Sequence, residues 1–182
     1  MQTKAVTNAI THACGHSGTA RVYSRSTRDV RSELQQARCT LCPDCVELVN
    51  TWLTTDGGAA PFDVAVYPML GTPKRCSWAE SLRKECMKRF LPAMTVAAER
   101  GDRLGAGVWK ALYALLRCRD ARFWIDNRTI IGQAFYVGQE AAHFIRHHST
   151  STPTSSIYAW LRREPAFVRR DIERLCPISV AA

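Results

Sequence analysis

Apolar and polar residues are patterned differently along successive stretches of the chain. Residues 10–23 alternate loosely and include two glycines, a pattern that predicts a β-hairpin. Residues 27–37 and residues 44–54 carry apolar side chains three to four positions apart, which predicts two short helices. A loop rich in proline and glycine follows, and residues 64–67 within it predict one short strand.

A long amphipathic helix is predicted after this loop. Ser77 and Glu80 form a capping box, in which each side chain can bond the backbone amide of the other residue and so begin a helix. Apolar residues then recur at every fourth position to about residue 99. Pro92 falls within this stretch and is expected to kink or interrupt the helix, because proline lacks an amide proton and crowds the preceding turn.

Further helices are predicted in the second half of the chain. Residues 103–118 are apolar on nearly all sides, so this helix is expected in the middle of a bundle. Residues 133–147 predict another helix with one buried side. The polar run 149–156 predicts a linker. The segment 157–175 contains five arginines and can dock on the bundle as a helix or reach for a partner.

Four metal-ligand side chains occur as two close pairs near the start of the chain. Cys14 and His16 form a C-G-H step, and Cys42 and Cys45 form a C-P-D-C step. Two chelating turns of this kind, each supplying two donors, can build a tetrahedral Zn²⁺ site. The spacing therefore predicts a structural zinc site. Cys39 leaves an alternative open, because it begins a second, overlapping C-x-x-C pair and could replace His16 or Cys45.

These patterns predict an α+β fold that is mostly α, with a small zinc-bound ββα-like N-terminal module followed by a helical bundle. Apolar residues make up 46% of the chain, which is enough for a core. The first sixty residues alone would build only a thin core, and small domains of that kind often need a metal or disulfides. The predicted division is a zinc-binding module at 1–58, a linker loop at 59–75, a helical domain at 76–148, a linker at 149–156 and an arginine-rich helical segment at 157–182.

The net charge of +9, from 25 Lys and Arg against 16 Asp and Glu, favours an acidic partner such as nucleic acid. Two groups of basic side chains are candidates for contact with phosphate or another acidic partner. The first lies around the capping-box helix and the second in the C-terminal segment: Lys74, Arg75, Arg83, Lys84, Lys88 and Arg89, and Arg162, Arg163, Arg169 and Arg170. A solvated helix face interleaved with glutamates explains the first group equally well.

Catalytic motifs are not evident in the sequence. It contains no phosphate-binding loop, no nucleophile elbow and no dinucleotide fingerprint. His143 and His147 are four residues apart on a predicted helix, a spacing that can chelate a metal, but the general base of the zincin motif is missing. Together with Asp126 they define a weaker alternative, a metal-dependent nuclease. A solvated helix end is the preferred interpretation of the two histidines.

The chain resembles a family of small uncharacterised proteins encoded by bacteria and by their phages or plasmids. Four segments carry the resemblance: T-H-A-C-G-H-S-G, C-P-D-C, T-P-K-R-C-S-W-A-E-S-L-R-K and A-R-F-W-I-D-N-R. It covers about residues 11–45 and 72–128. It implies zinc-ligand turns at A-C-G-H and C-P-D-C and an origin in a mobile element, but no established activity.

The eight cysteines are expected to be reduced or metal-bound. Four of them are scattered singly along the chain, and the first thirteen residues lack the continuous apolar core of a signal peptide. No apolar run is long enough to cross a bilayer. The sequence therefore predicts a soluble protein of the cytoplasm, and the resemblance implies a bacterial host cell.

The leading hypothesis is a non-enzymatic, zinc-stabilised basic protein of a bacterial mobile element that binds nucleic acid or a nucleoprotein complex of the host. An alternative is a phage or plasmid anti-defence protein that, like an anti-CRISPR protein, binds a host effector complex. Neither hypothesis involves a membrane or a small-molecule substrate.

Overall fold

The computed structural model describes residues 5–23, 26–55 and 64–179. An antiparallel hairpin is followed there by eight helices, which confirms the predicted α+β, mostly helical fold. The strands are β1 (Ala5–Thr11) and β2 (Ser17–Tyr23), and the helices are α1 (Thr27–Arg38), α2 (Pro43–Thr54), α3 (Pro73–Arg100), α4 (Arg103–Arg117), α5 (Ala121–Asp126), α6 (Ala134–Arg146), α7 (Ile157–Leu161) and α8 (Ala166–Leu175). The predicted module boundary at residues 58–59 lies outside the described residues.

The hairpin closes where the sequence pattern predicted it. Thr11 of β1 pairs with Ser17 of β2 at the closed end, so the five residues between them form the turn. That turn carries both Cys14 and His16. The α1 helix begins after Ser26, whose hydroxyl accepts a hydrogen bond from the third following amide, and it packs against both strands.

The α3 helix begins four residues earlier than predicted. Pro73 is its first residue and Thr72 its N-cap, so Ser77 and Glu80 lie inside the helix and the capping-box prediction is wrong. Proline is well suited to the first helical position, because the amide that it lacks has no partner there. The predicted interruption at Pro92 does not occur either. Pro92 is buried inside the continuous helix, which packs against α4.

The predicted strand at residues 64–67 is not formed. These residues are irregular, and an isolated bridge joins Leu70 to Asp120 instead. The Leu70 amide donates a hydrogen bond to the Arg119 carbonyl oxygen at 2.7 Å, and the Ala121 amide donates to the Leu70 carbonyl oxygen at 3.1 Å. The loop is thereby fixed beside the start of α5.

The α4 helix lies in the middle of the helical bundle, as its apolar sequence predicted. It contacts α3, α6, α7 and α8, and Leu112 and Leu115 are fully buried on it. Gly107 lets α6 approach closely, since a Cβ atom there would lie only 2.9 Å from the carbonyl oxygen of Ala141.

The α2 helix joins the N-terminal part of the chain to the bundle. It packs against α3 and α6, and Val49, Trp52 and Leu53 are buried in the same apolar cluster as α4. Arg89 of α3 donates hydrogen bonds to the carbonyl oxygens of Leu53 at 3.2 Å and Gly132 at 2.9 Å. One hydrophobic core is therefore continuous from α2 through the bundle.

The C-terminal segment forms two helices, α7 and α8, which both contact α4. The polar run before them is anchored at two points. Asn127 Nδ2 donates a hydrogen bond to the Thr154 carbonyl oxygen at 2.8 Å. The hydroxyl of Ser156, which is fully buried, caps α7 by accepting from the Ala159 amide at 3.1 Å. The predicted division of the chain into domains and linkers stays a prediction.

Candidate metal centre

Two turns bring the four predicted metal ligands together. The ligand atoms of Cys14, His16, Cys42 and Cys45 all lie within 4.8 Å of one another. His16 Nδ1 lies 3.3 Å from the Sγ atoms of both Cys42 and Cys45. Across the described ranges of the chain, this is the one group of three or more metal-ligating side chains.

The hairpin turn places Cys14 and His16 on the same side. The His12 amide donates a hydrogen bond to the His16 carbonyl oxygen at 2.9 Å, and the Gly15 amide donates to the His12 carbonyl oxygen at 3.0 Å. Gly15 has a φ angle of +93°, in the left-handed region that favours glycine. This backbone conformation between the two ligands allows both side chains to reach the cluster.

The second turn is the start of α2. Cys42 is the N-cap residue, Pro43 is the first helical residue and Cys45 follows in the first turn. The Cys42 amide donates a hydrogen bond to the Cys14 sulfur at 3.5 Å. Both the amide and the helix N-terminus favour negative charge on sulfur, which is the form that binds a metal.

Backbone contacts connect the two turns to each other and to the bundle. The Ala13 amide donates a hydrogen bond to the Thr40 carbonyl oxygen at 2.9 Å. From the last turn of α6, Arg146 Nη2 donates to the carbonyl oxygens of Thr11 at 3.3 Å and His12 at 3.2 Å. The cluster is therefore placed at the junction of the hairpin, α2 and α6.

The clustered thiols perturb one another. Burial raises the pKa of Cys45, and the neighbouring sulfurs of Cys42 and Cys14 raise it further. Burial is the largest influence on Cys14 and acts to raise its pKa, but hydrogen bonds with the backbone of Cys42 and His16 and with the Cys42 and Cys45 side chains together lower that pKa. A divalent cation would relieve the crowding of like groups, because coordination deprotonates thiols and offsets the repulsion between thiolates.

The donor set fits a tetrahedral divalent cation. With metal–sulfur bonds of about 2.3 Å and metal–nitrogen bonds of about 2.0 Å, neighbouring donors in a tetrahedron lie roughly 3.5–3.8 Å apart. In the structure, His16 Nδ1 lies 3.3 Å from two of the sulfurs, and no two ligand atoms are more than 4.8 Å apart. The donor spacing expected for a tetrahedral ion falls between these two distances. All four donors come from the protein, so a metal bound here would have no open position for a substrate.

Cys39 is not part of the cluster. Its buried sulfur accepts a long hydrogen bond from Gln35 Nε2 at 4.0 Å. Burial raises the pKa of Cys39, and the charge of Arg146 opposes this shift only in part, so the side chain is a neutral thiol. The structure therefore assembles His16 and Cys45 rather than the alternative ligand sets that include Cys39.

The first predicted basic group is divided by the fold. Arg83 is buried, its Nη1 donates to the Tyr67 carbonyl oxygen at 2.9 Å, and burial lowers its pKa. Arg89 is held by the backbone contacts described above, and Lys88 pairs with Glu85 at 2.8 Å. Because Arg83 is buried, it does not belong to the exposed basic face of α3. The other five members of the group are exposed: Lys74, Arg75, Lys84, Lys88 and Arg89.

The C-terminal basic residues are all exposed: Arg162, Arg163, Arg169 and Arg170. Arg162, Arg169 and Arg170 line a groove of about 600 Å³, which we call the arginine groove. Glu173 is the carboxylate in its lining, and it is paired with Lys110 of α4. Within the part of the chain that the structure describes, the arginines of the groove make no ion pair.

The residues considered for a nuclease are not brought together. His143 is buried, whereas His147 is exposed and ends α6 with a φ angle of +52°. Asp126 pairs with Arg122 at 3.2 Å. No metal-ligand group found among the described residues includes the two histidines or Asp126.

Glu140 is a buried carboxyl that the sequence interpretation missed. It is 1% exposed and accepts hydrogen bonds from Ser156 Oγ and from the Tyr158 amide, both at 2.9 Å. Burial raises the pKa of Glu140 to about 7, although the two hydrogen bonds oppose the shift. Its signal in the sequence is a carboxylate on the apolar side of α6, three residues after Val137 and four before Phe144.

Comparisons with protein families, with curated proteins and with solved structures gave no match. The resemblance to a mobile-element family therefore stays a prediction. None of the helices in residues 5–23, 26–55 and 64–179 combines the length and apolarity needed to cross a bilayer.

Proposed function

We propose that this chain is a non-enzymatic, zinc-stabilised protein that binds nucleic acid through the arginine groove. The observation that carries the proposal is the charge of this groove. Arg162, Arg169 and Arg170 are exposed along one concave surface, and the carboxylate of Glu173 beside them is already paired with Lys110. The groove therefore presents three guanidinium groups and one carboxylate, and that carboxylate is paired with Lys110 rather than with an arginine of the groove.

Phosphate is the anion that best matches this surface. A guanidinium group presents a planar fork of donors that can bind two phosphate oxygens at once. Three such groups in one groove repel each other, and a bound polyanion would relieve that repulsion. Contacts of this kind hold the backbone of a nucleic acid without reading its sequence. The exposed basic residues of α3 form a weaker candidate, because Lys88 is paired and Arg83 is buried.

We assign zinc as the ion of the metal centre. Three sulfurs and one imidazole nitrogen are donors that zinc prefers in closed structural sites. Such an ion would join the hairpin turn to the start of α2, and this junction also contacts α6 through Arg146. Its role in the proposed function is to stabilise the fold rather than to perform chemistry.

The test is the salt dependence of binding to fluorescent single-stranded and double-stranded oligonucleotides. Each phosphate contact contributes about 0.7–0.9 to the slope of log K against log salt concentration. The double variant Arg169→Ala/Arg170→Ala should therefore lower the slope by about 1.4–1.8. The matched control, Lys74→Ala/Arg75→Ala, removes the same charge from α3 and should change the slope much less.

Equal effects of the two double variants would contradict the assignment of the groove. No binding to any oligonucleotide at low salt would contradict the proposed function as a whole. That outcome would favour an acidic protein partner, including the host effector complexes of the anti-defence alternative.

A further inference from the structure

A second cavity, of about 300 Å³, lies between the chain segment before Cys42 and the α6 helix. We call it the α6 pocket. Thr40 and Leu41 line it on one side, and Gly138 and His143 line it on the other. Its volume is at the lower end of the range of small-molecule sites. A Cβ atom on Gly138 would lie 3.3 Å from the Leu41 side chain, so the two sides of the pocket meet closely at this glycine.

The α6 pocket contains a buried imidazole. His143 is 5% exposed, and neither of its ring nitrogens makes a hydrogen bond of ordinary length and angle. Burial lowers the pKa of His143, although a backbone contact with His148 acts in the opposite direction. The ring is therefore neutral and offers one donor and one acceptor. The His148 contact can satisfy at most one of the two nitrogens. Because buried polar groups rarely lack partners, the other nitrogen is a candidate to bond a ligand.

The other residues that line the α6 pocket indicate which kind of ligand it can bind. Among the described residues that line the pocket there is no carboxylate, guanidinium or ammonium group. Gln36 and Gln139 contribute amides, which both donate and accept hydrogen bonds, and Val46 contributes apolar surface. Phe135 also lines the pocket and is 51% exposed, so its ring is available for stacking. The lining thus favours a neutral, flat ligand with donors and acceptors along its edge.

The α6 pocket is next to the arginine groove. The ring of His143 packs against the ring of Tyr158, with centroids 6.0 Å apart, and Tyr158 lines the groove on the other side. The consecutive residues His147 and His148 line the groove and the pocket respectively. A ligand with an anionic backbone and neutral flat side groups could therefore occupy both sites.

We propose that the α6 pocket binds one unpaired nucleobase of a nucleic-acid strand, with His143 bonding the edge of the base. A nucleobase has apolar faces and an edge of donors and acceptors, which are the features that the pocket matches. The strand must be single or locally unpaired, because the base edges of a duplex are already engaged. This inference rests on the proposed function and assigns the class of nucleic acid.

The experiment uses free nucleosides, which lack phosphate and therefore probe the pocket independently of the groove. Adenosine, guanosine, cytidine and uridine are titrated separately into the zinc-loaded full chain, and the histidine ring protons are followed by NMR. At least one nucleoside should shift the His143 resonances saturably. His143→Phe should weaken its binding about tenfold or more, because the ring is kept while both nitrogens are lost.

Two further variants control for folding and for location. Gln139→Leu changes an exposed residue at the rim, so it should weaken nucleoside binding without disturbing the core. His147→Ala changes the groove side and should leave nucleoside affinity unchanged. No saturable shift with any nucleoside, or unchanged affinity in His143→Phe, would overturn the inference.

The failure of the inference can be distinguished from the failure of the proposed function. Salt-dependent binding of oligonucleotides without any binding of nucleosides would overturn the pocket assignment and leave the arginine groove supported. Nucleoside binding without oligonucleotide binding would contradict the proposed function, and with it the assignment of the base to a strand.

Discussion

Glu140 of α6 accepts a hydrogen bond from the Ser156 hydroxyl at 2.9 Å, and both residues are buried, with exposed fractions of 1% and 0%. The same carboxylate oxygen accepts from the Tyr158 amide. Ser156 in turn caps α7. One buried carboxyl therefore fixes the start of the C-terminal segment, and Tyr158 and Leu161 of α7 line the arginine groove.

Glu140→Gln should remove a pH-dependent contribution to stability. Burial raises the pKa of Glu140 from 4.5 to about 7 in the folded state, so the folded protein holds this proton more tightly than the unfolded chain does. The stabilising contribution is fully present below pH 4.5 and is lost as the pH rises through 7. Relative to Glu140→Gln, the free energy of unfolding of the wild type should fall by about 3 kcal/mol over this window.

Urea unfolding of both proteins at several pH values, with zinc held constant, measures this difference. The metal ligands titrate in both proteins, so their contribution cancels in the comparison. A stability difference that does not change with pH would contradict the assigned pKa shift.

His143→Phe should make the protein more stable while it removes nucleoside binding. The substitution keeps a ring and removes two buried nitrogens that make no hydrogen bond of ordinary length and angle. An unsatisfied buried polar group costs about 1–3 kcal/mol, so the free energy of unfolding should rise by about 1–2 kcal/mol. Thermal or urea unfolding measures the change. His147→Phe is the control, because the exposed His147 gains nothing from losing its nitrogens. A loss of stability in His143→Phe would count against the description of the pocket.

Gly107→Ala should weaken the packing of α4 against α6. The added Cβ atom would lie 2.9 Å from the backbone oxygen of Ala141, which cannot move without displacing α6. Overpacking of this kind costs about 1–3 kcal/mol, and it opposes the roughly 1 kcal/mol that alanine gains over glycine in a helix. Gly138→Ala is the matched control, because its Cβ would meet only the side-chain ends of Leu41 and Val46.

We therefore expect Gly138→Ala to be the more stable of the two variants in urea unfolding. Equal stability would mean that α4 and α6 are free to separate at Gly107, and it would contradict the close approach of these helices.

The metal ligands could be predicted from the sequence because each turn is local. C-G-H and C-P-D-C each place two donors within a few residues, whatever the rest of the chain does. The exclusion of Cys39 could not be predicted, because it depends on how α1 ends: Cys39 is the C-cap of α1, and its sulfur contacts Gln35 instead of the cluster.

Long-range packing explains what the sequence did not reveal. The sequence places Arg83 among exposed basic neighbours. In the structure Arg83 is buried, and it donates a hydrogen bond to the Tyr67 carbonyl oxygen in the loop before α3. The capping signal at Ser77 predicts the start of α3 there, but the helix begins at Pro73, four residues earlier. Glu140 was visible as a carboxylate on an apolar face, but its partners lie 16 and 18 residues away.

We propose that one zinc ion joins the hairpin turn to the start of α2. Cys39 and Cys42 offer a matched pair for testing it, since each is 6% exposed and only Cys42 belongs to the cluster. The most direct measurement is the zinc content of the purified protein by elemental analysis, made together with the melting temperature. One zinc per chain is predicted in the wild type and in Cys39→Ala. Cys42→Ala should lose the zinc and melt roughly 10 °C lower or more. Wild-type protein without zinc, whose melting temperature does not change after treatment with a strong chelator, would contradict the claim.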